Sequence, residues 1–250
     1  MRPIPRSLLC LALAASCRGP DRQPAPSDTT AAAPVAAPTP APLQAPAPAS
    51  TDGIGRCPAA AGRDSLCFHA ARDHDFAGDG RPFTVTVDAR GPAADSMRVA
   101  LRITRGDTVF HRADWSTVMY GRYDARPVSR DSTRRRVDAQ LARLLADSAF
   151  RPVSAFLGGA ANRDRLLRET IAFDVAVDAE RRRRGLTPAD TLPTEAAQSP
   201  PPTTDTLRVR TLAAALRDAP AFRYFTGGEA TYAIAWSAAE HRFVVVFACC

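Results

Sequence analysis

The sequence predicts an α+β domain: a mostly antiparallel sheet, built from a three-strand meander plus a C-terminal hairpin, with about three helices packed on one face. Three observations predict it. Apolar residues alternate through 83–115, they recur at helical spacing from 131 to 185, and two apolar runs separated by four residues close the chain.

"FTVTVDAR" (83–90) puts Phe83, Val85 and Val87 on one side of a strand. "SMRVALRIT" (96–104) does the same with Met97, Val99, Leu101 and Ile103, and "DTVFHRADW" (107–115) is a third β-like run. Gly91-Pro92 and Arg105-Gly106-Asp107 supply the breaks between them. Gly and Asp serve a hairpin turn by their own geometry, so the RGD tripeptide needs no adhesive role.

The period then changes. In "DSTRRRVDAQLARLLADSAF" (131–150), Val137, Leu141, Leu144, Leu145 and Phe150 fall at helical spacing, with Asp131, Ser132 and Thr133 as cap candidates. "NRDRLLRETIAFDVAVDAERRRRG" (162–185) fits a helix stripe, although Ile171, Phe173, Val175 and Val177 also alternate like a strand. Its length, Asn162 as a cap, the Arg181–Arg184 cluster and Gly185 favour a helix. Residues 187–206, rich in Pro, read as a flexible insertion. "DTLRVRTLAAALRDAP" (205–220) is a third helix, stopped by Pro220. "EATYAIAW" (229–236) and "HRFVVVFACC" (241–250) form the closing hairpin, and "FVVVF" has the apolar density of a central strand covered on both faces.

Two segments precede this domain. Residues 18–52 are Ala/Pro-rich with almost no large apolar side chain, so they cannot bury enough surface to offset the entropy of ordering. Repeated Pro favours an extended tether reaching about 100 Å at about 3.1 Å per residue. Before it stands "MRPIPRSLLCLALAASC": Arg2 and Arg6, a short apolar run, then small residues leading to Cys17. The run is too short to span a bilayer, which takes about 20 residues, and reads as a secretory signal. "LAASC" resembles the lipobox of bacterial lipoproteins, with Ala14 where Leu is commoner. The resemblance implies cleavage after residue 16 and acyl chains on Cys17, which anchor a protein without any spanning helix. It also implies the outer rather than the inner membrane, since Arg18 and not Asp follows the Cys. Cleavage at Ala12-Leu13-Ala14, giving a soluble periplasmic or secreted protein, is the rival reading. The expected organisation is therefore a signal peptide at 1–16, lipidated Cys17 with a disordered tether to residue 52, and one globular domain over 53–250.

The 250-residue chain carries a formal charge of +7, and all 33 of its basic residues are Arg. Arg-only usage follows from a GC-rich genome, so it does not argue for nucleic acid, and no nucleic-acid partner is expected. Removing a leader with two Arg and no acid leaves +5.

"DHDFAGDGRPFTVTV" (73–87) has the look of a calcium loop feeding a strand. A calcium loop of the EF type needs oxygen ligands at positions 1, 3, 5, 9 and 12, with Gly at 6. Starting at Asp73 or at Asp75, only two carboxylates reach those positions, and the bidentate acid at 12 is replaced by Thr84 or Thr86. "DFAGDGRPFTVTV" resembles the D-x-D-G-D-G lead-in to a strand in FG-GAP-like and dockerin-like repeats, but departs from it at the ligand positions, so their calcium binding does not carry over. Asp73, Asp75 and Asp79 are the calcium candidates. Cys67, His69, Asp73, His74 and Asp75 are the candidates for zinc or copper, without a paired motif to support them. The expectation is a turn without a cofactor.

Cys57, Cys67, Cys249 and Cys250 are disulfide candidates in an oxidising envelope. Of three possible pairings, the one joining adjacent Cys249 and Cys250 is disfavoured as strained. The other two staple the start of the domain to its last residues, closing loops of roughly 180–190 residues worth up to about 5 kcal/mol each. No nucleophile elbow, P-loop or dinucleotide fingerprint is present. His111 and His241 read as ordinary strand residues, and Trp115, Tyr120, Tyr123 and Trp236 suit a core as well as a glycan groove. The sequence thus points to a lipid-anchored envelope module that binds or scaffolds a polypeptide or an anionic envelope polymer. The alternatives are a metal-dependent envelope enzyme using the 67–79 cluster and a structural domain with no ligand.

Overall fold

The structure, a computed structural model, describes residues 50–51, 53–57, 65–120, 129–157, 159–187, 190, 205–226 and 230–249. The signal segment, Cys17, nearly all of the tether, Tyr123, most of the 187–206 insertion and Cys250 lie outside them.

The chain is α+β, and the predicted meander and hairpin both form, but they belong to two separate antiparallel sheets. The first sheet runs β1 (Ser50–Thr51), β3 (Leu66–His74), β4 (Phe83–Gly91), β5 (Arg98–Arg105), β6 (Thr108–Ser116), with β2 (Gly55–Arg56) also paired to β3. Ser50 and Thr51, at the end of the expected tether, thus add a short strand opposite Ala71 and Ala70. The second sheet runs β10 (Arg242–Cys249), β9 (Thr231–Ser237), β8 (Pro220–Phe225), β7 (Phe150–Pro152). "FVVVF" is covered on both faces as expected, yet it is an edge strand rather than a central one.

Two cores explain the layering. The inward sides of β4 and β5 (Phe83, Val85, Val87, Val99, Leu101, Ile103) pack against Phe222, Tyr224, Ile234, Trp236 and Phe243 of the second sheet. The opposite face of that second sheet carries Ala221, Ala233, Ala235, Val244 and Val246, which meet two helices. These are α2 (Ala160–Arg183), through Leu167, Ile171 and Val175, and α3 (Thr206–Leu216), through Val209, Leu212 and Leu216. The alanines, Ala221 and Ala235 directly paired, leave room for the helices to approach the sheet. The result is three layers: sheet, sheet, helices. The remaining helix, α1 (Arg130–Arg143), lies instead at the end of the inter-sheet core, against the short turns at Ala94–Ser96 and Thr117–Tyr120, and buries Val137 and Leu141 there.

The helix ends differ from the predicted ones by about a turn. The cap of α1 is Ser129, whose side chain accepts from the Ser132 backbone N–H, rather than 131–133. The N-cap of α2 is Gly159, so Asn162 falls inside the helix. At its other end Gly185, at φ 70°, supplies the left-handed residue that lets the Leu186 N–H return to the Arg181 carbonyl. Asp205 caps α3 through the Arg208 N–H. Pro220 does not merely stop α3; it opens β8, where a first-position Pro costs no ladder bond.

Two bulges redirect side chains. Between β5 and β6 the register skips Phe110, so Phe110 and His111 both turn toward the inter-sheet core. Between β9 and β10 it skips Val246, and the Val245 N–H on the open edge donates to Asp174 Oδ1 at 3.1 Å.

Candidate anion-binding groove

The 67–79 candidates lie mainly along β3, and a strand sends successive side chains to opposite faces. Cys67, His69 and Asp73 therefore share the outer face, while His74 takes the inner one. His69 is exposed and pairs with Asp88 at 2.7 Å. His74 packs edge-on to Phe76 and tilted against Phe150, and burial, reinforced by Arg72, lowers its pKa. Asp73 accepts from the Thr84 hydroxyl at 2.7 Å. Asp75 accepts the backbone N–H groups of Ala77, Gly78 and Gly80, which shapes the turn itself. Asp79 takes the Arg81 N–H and a bidentate Arg105 guanidinium, and these hold its carboxyl below the usual range. Arg105 in turn lies 3.8 Å over the Phe83 ring. Among the described residues, no three His, Cys, Asp or Glu side chains are grouped so as to hold a metal ion.

The cysteine reading is corrected. Cys57 is bonded to Cys67, ten residues away, rather than to the C-terminus. Pairing of β2 with β3 sets Gly55 opposite Cys67, and the Cys57 N–H donates to the Ser65 carbonyl, which brings the two sulfurs together locally. Cys249 sits exposed on β10 opposite Thr231 of β9, in the second sheet, whereas Cys67 lies on β3 of the first and Cys57 directly follows β2. The aromatic candidates are drawn inward: Trp236 packs among Phe83, Phe110 and Phe243, and Trp115 donates to the Tyr120 hydroxyl at 2.8 Å while stacking on Tyr224. Burial raises the Tyr120 phenol well above its ordinary value.

Charge gathers instead on the helical layer. At one end, Asp174 and Asp178 of α2 meet Arg242 of β10 and Arg208 of α3. Arg242 lies 2.7 Å from Asp174 and donates to Glu240 at 2.8 Å, and Arg208 bonds Asp178 at 2.8 Å and Glu240 at 2.5 Å. Burial pushes the Asp174 carboxyl up against the pull of Arg242. Burial would also raise Glu240, but its bonds from Arg208 and Arg242 hold it low. An adjoining cleft of about 410 Å³ is lined by these same paired groups and by Arg182, which itself bonds Asp178. The neighbouring Arg183 and Arg184 both close on Glu180. Most of the "RRRR" cluster is therefore spent on acids of its own helix and shields them from solvent.

At the other end Arg217 pairs with Asp164, which depresses that carboxyl. The Asp164–Arg217 and Asp178–Arg208 pairs set α2 and α3 antiparallel. Between the helices lies a groove of about 430 Å³, floored by Leu167 and Ala213 and rimmed by Arg168, Arg210, Ala214 and the Asp164–Arg217 pair. Arg168 and Arg210 flank it from opposite helices, and neither forms an ion pair or hydrogen bond with a described residue.

The chain matches no protein-family model, no curated protein and no solved structure. Arg168 and Arg210, both exposed, line one groove from its two helices, and a guanidinium offers a planar fork of donors suited to an anion. No local signal marks the groove in the sequence, because Arg168 and Arg210 are 42 residues apart and look like any surface Arg.

Proposed function

We propose that the protein is a tethered cell-envelope binding module whose α2–α3 groove takes anionic partners. One observation carries the reading: among the described residues Arg168 and Arg210 line this groove with no direct ion pair, Arg168 acting on Asp164 only through space, whereas Arg165, Arg182, Arg183, Arg184, Arg208 and Arg217 of the same helices are paired. Like charges held around a concave surface raise the local concentration of an oppositely charged ligand. The lipobox-like "LAASC" and the Pro-rich tether supply the anchor, with Cys17 acylated and the domain held out from the outer membrane.

The test uses the full chain in detergent, with dextran sulfate as the probe. Arg168→Glu/Arg210→Glu weakens binding at least about tenfold. Arg135→Glu/Arg143→Glu, two exposed α1 positions, makes the same change in net charge and leaves binding within about twofold. Equal loss in both variants overturns the groove as the site. Intact-mass analysis of the membrane fraction, with and without Cys17→Ala, tests the anchor: an unlipidated native product overturns it.

A further inference from the structure

The outer side of the groove is not uniformly charged. On α3, Leu207, Arg210, Ala214 and the capping Arg217 recur at helical spacing. Leu207 and Ala214 lie within about 20° of each other around the axis and about 10 Å apart along it. Leu207 is 68% exposed, and of the large apolar side chains described it is the most exposed. Leu207 stands one turn before Arg210, next to the groove lined by Arg168, Arg210 and Ala214. A sulfated or phosphorylated polymer has nothing to place on Leu207. A polypeptide carrying both carboxylates and apolar side chains matches both features, because planar carboxylates fit the guanidinium fork and each buried aliphatic group gains from leaving water.

Resting on the reading that this groove takes anions, we infer that its occupant is an acidic amphipathic segment of a partner polypeptide. Its apolar side chains cover Ala214 and Leu207, and its carboxylates sit between Arg168 and Arg210. The segment lies along α3, from Arg217 in the groove to Leu207 near the start of that helix.

Two synthetic peptides of equal length and Glu content test this against the full chain by fluorescence anisotropy. One carries Leu at i, i+3 and i+7, the other Ser at the same positions, and dextran sulfate is measured in parallel. The Leu peptide binds at least about tenfold tighter than the Ser peptide. Leu207→Ser removes most of that preference and leaves dextran sulfate binding within about twofold. Equal affinities for the two peptides, or a preference that survives Leu207→Ser, overturn the acidic-polypeptide inference. A peptide preference that disappears with Leu207 while Arg168→Glu/Arg210→Glu leaves dextran sulfate binding untouched overturns the anion-groove reading on which it rests.

Discussion

His111 makes the fold sensitive to acid, and the size of the effect follows from where the β5–β6 bulge puts it. The bulge turns His111 into the space between the sheets, where its Nε2 lies 3.1 Å from the Tyr224 hydroxyl and its ring packs near Phe243. Burial, assisted by the charge of Arg181, lowers its pKa from 6.5 to about 4. Between those values the unfolded chain takes up a proton that the folded chain refuses. The unfolded state therefore binds more protons, and stability falls as pH drops from 6.5 toward 4. For a single site the loss is about 2 kcal/mol at pH 5 and about 3 kcal/mol once pH passes below 4. The assay is urea unfolding at pH 7.5 and pH 5.0 for the wild type and His111→Gln. Gln keeps a polar contact to Tyr224 without titrating. At an m-value of about 2 kcal/mol/M, the wild-type midpoint falls by about 1 M more than that of the variant. His74, also lowered by burial, adds to the acid loss equally in both proteins and cancels in the comparison. If the two midpoints move in parallel with pH, His111 is not held neutral by the fold and the reasoning is wrong.

Two further predictions concern the staples of the domain. Cys57→Ser/Cys67→Ser lowers stability by about 3 kcal/mol, the chain-entropy value for a loop of this length, and non-reducing peptide mapping of the native protein recovers residues 57 and 67 in one linked fragment. Asp178→Ala removes the buried carboxylate shared by Arg182 and Arg208, but Arg182 is open to solvent and Arg208 keeps Glu240; it costs about 1.5–3 kcal/mol in urea unfolding, whereas an effect below about 0.5 kcal/mol would mean the network is dispensable.

The local alphabet of this protein is legible along the chain. Period-two runs became β4, β5, β6, β9 and β10, and period-3.6 runs became three helices, because both patterns record which side of an element leaves water. The strand-like alternation within 171–177 yielded to the helix, since Asp174 and Asp178 are four residues apart and share the face that meets Arg242. Short strands without strong periodicity were harder. "LCFHAARDH" hides β3 because Arg72 occupies an inward position, bonded to the Leu145 carbonyl and Asp147 and lying 4.5 Å from the Phe150 ring, so a charged residue fills a place that reads as solvent-facing. "PAFRYF" carries its alternation in Phe222 and Tyr224 but begins with a Pro that reads as a stop.

By itself, the sequence determined the α+β class, the order and period of the major elements, and the expectation of an exported, tethered chain, because each of these depends on residues close together along the backbone. Only the tertiary structure decided that the strands divide into two stacked sheets, that Cys57 bonds to Cys67, and that two Arg distant in sequence face one groove. Those outcomes depend on which neighbours compete for each surface and each sulfur once the chain is compact, and no local pattern encodes that competition.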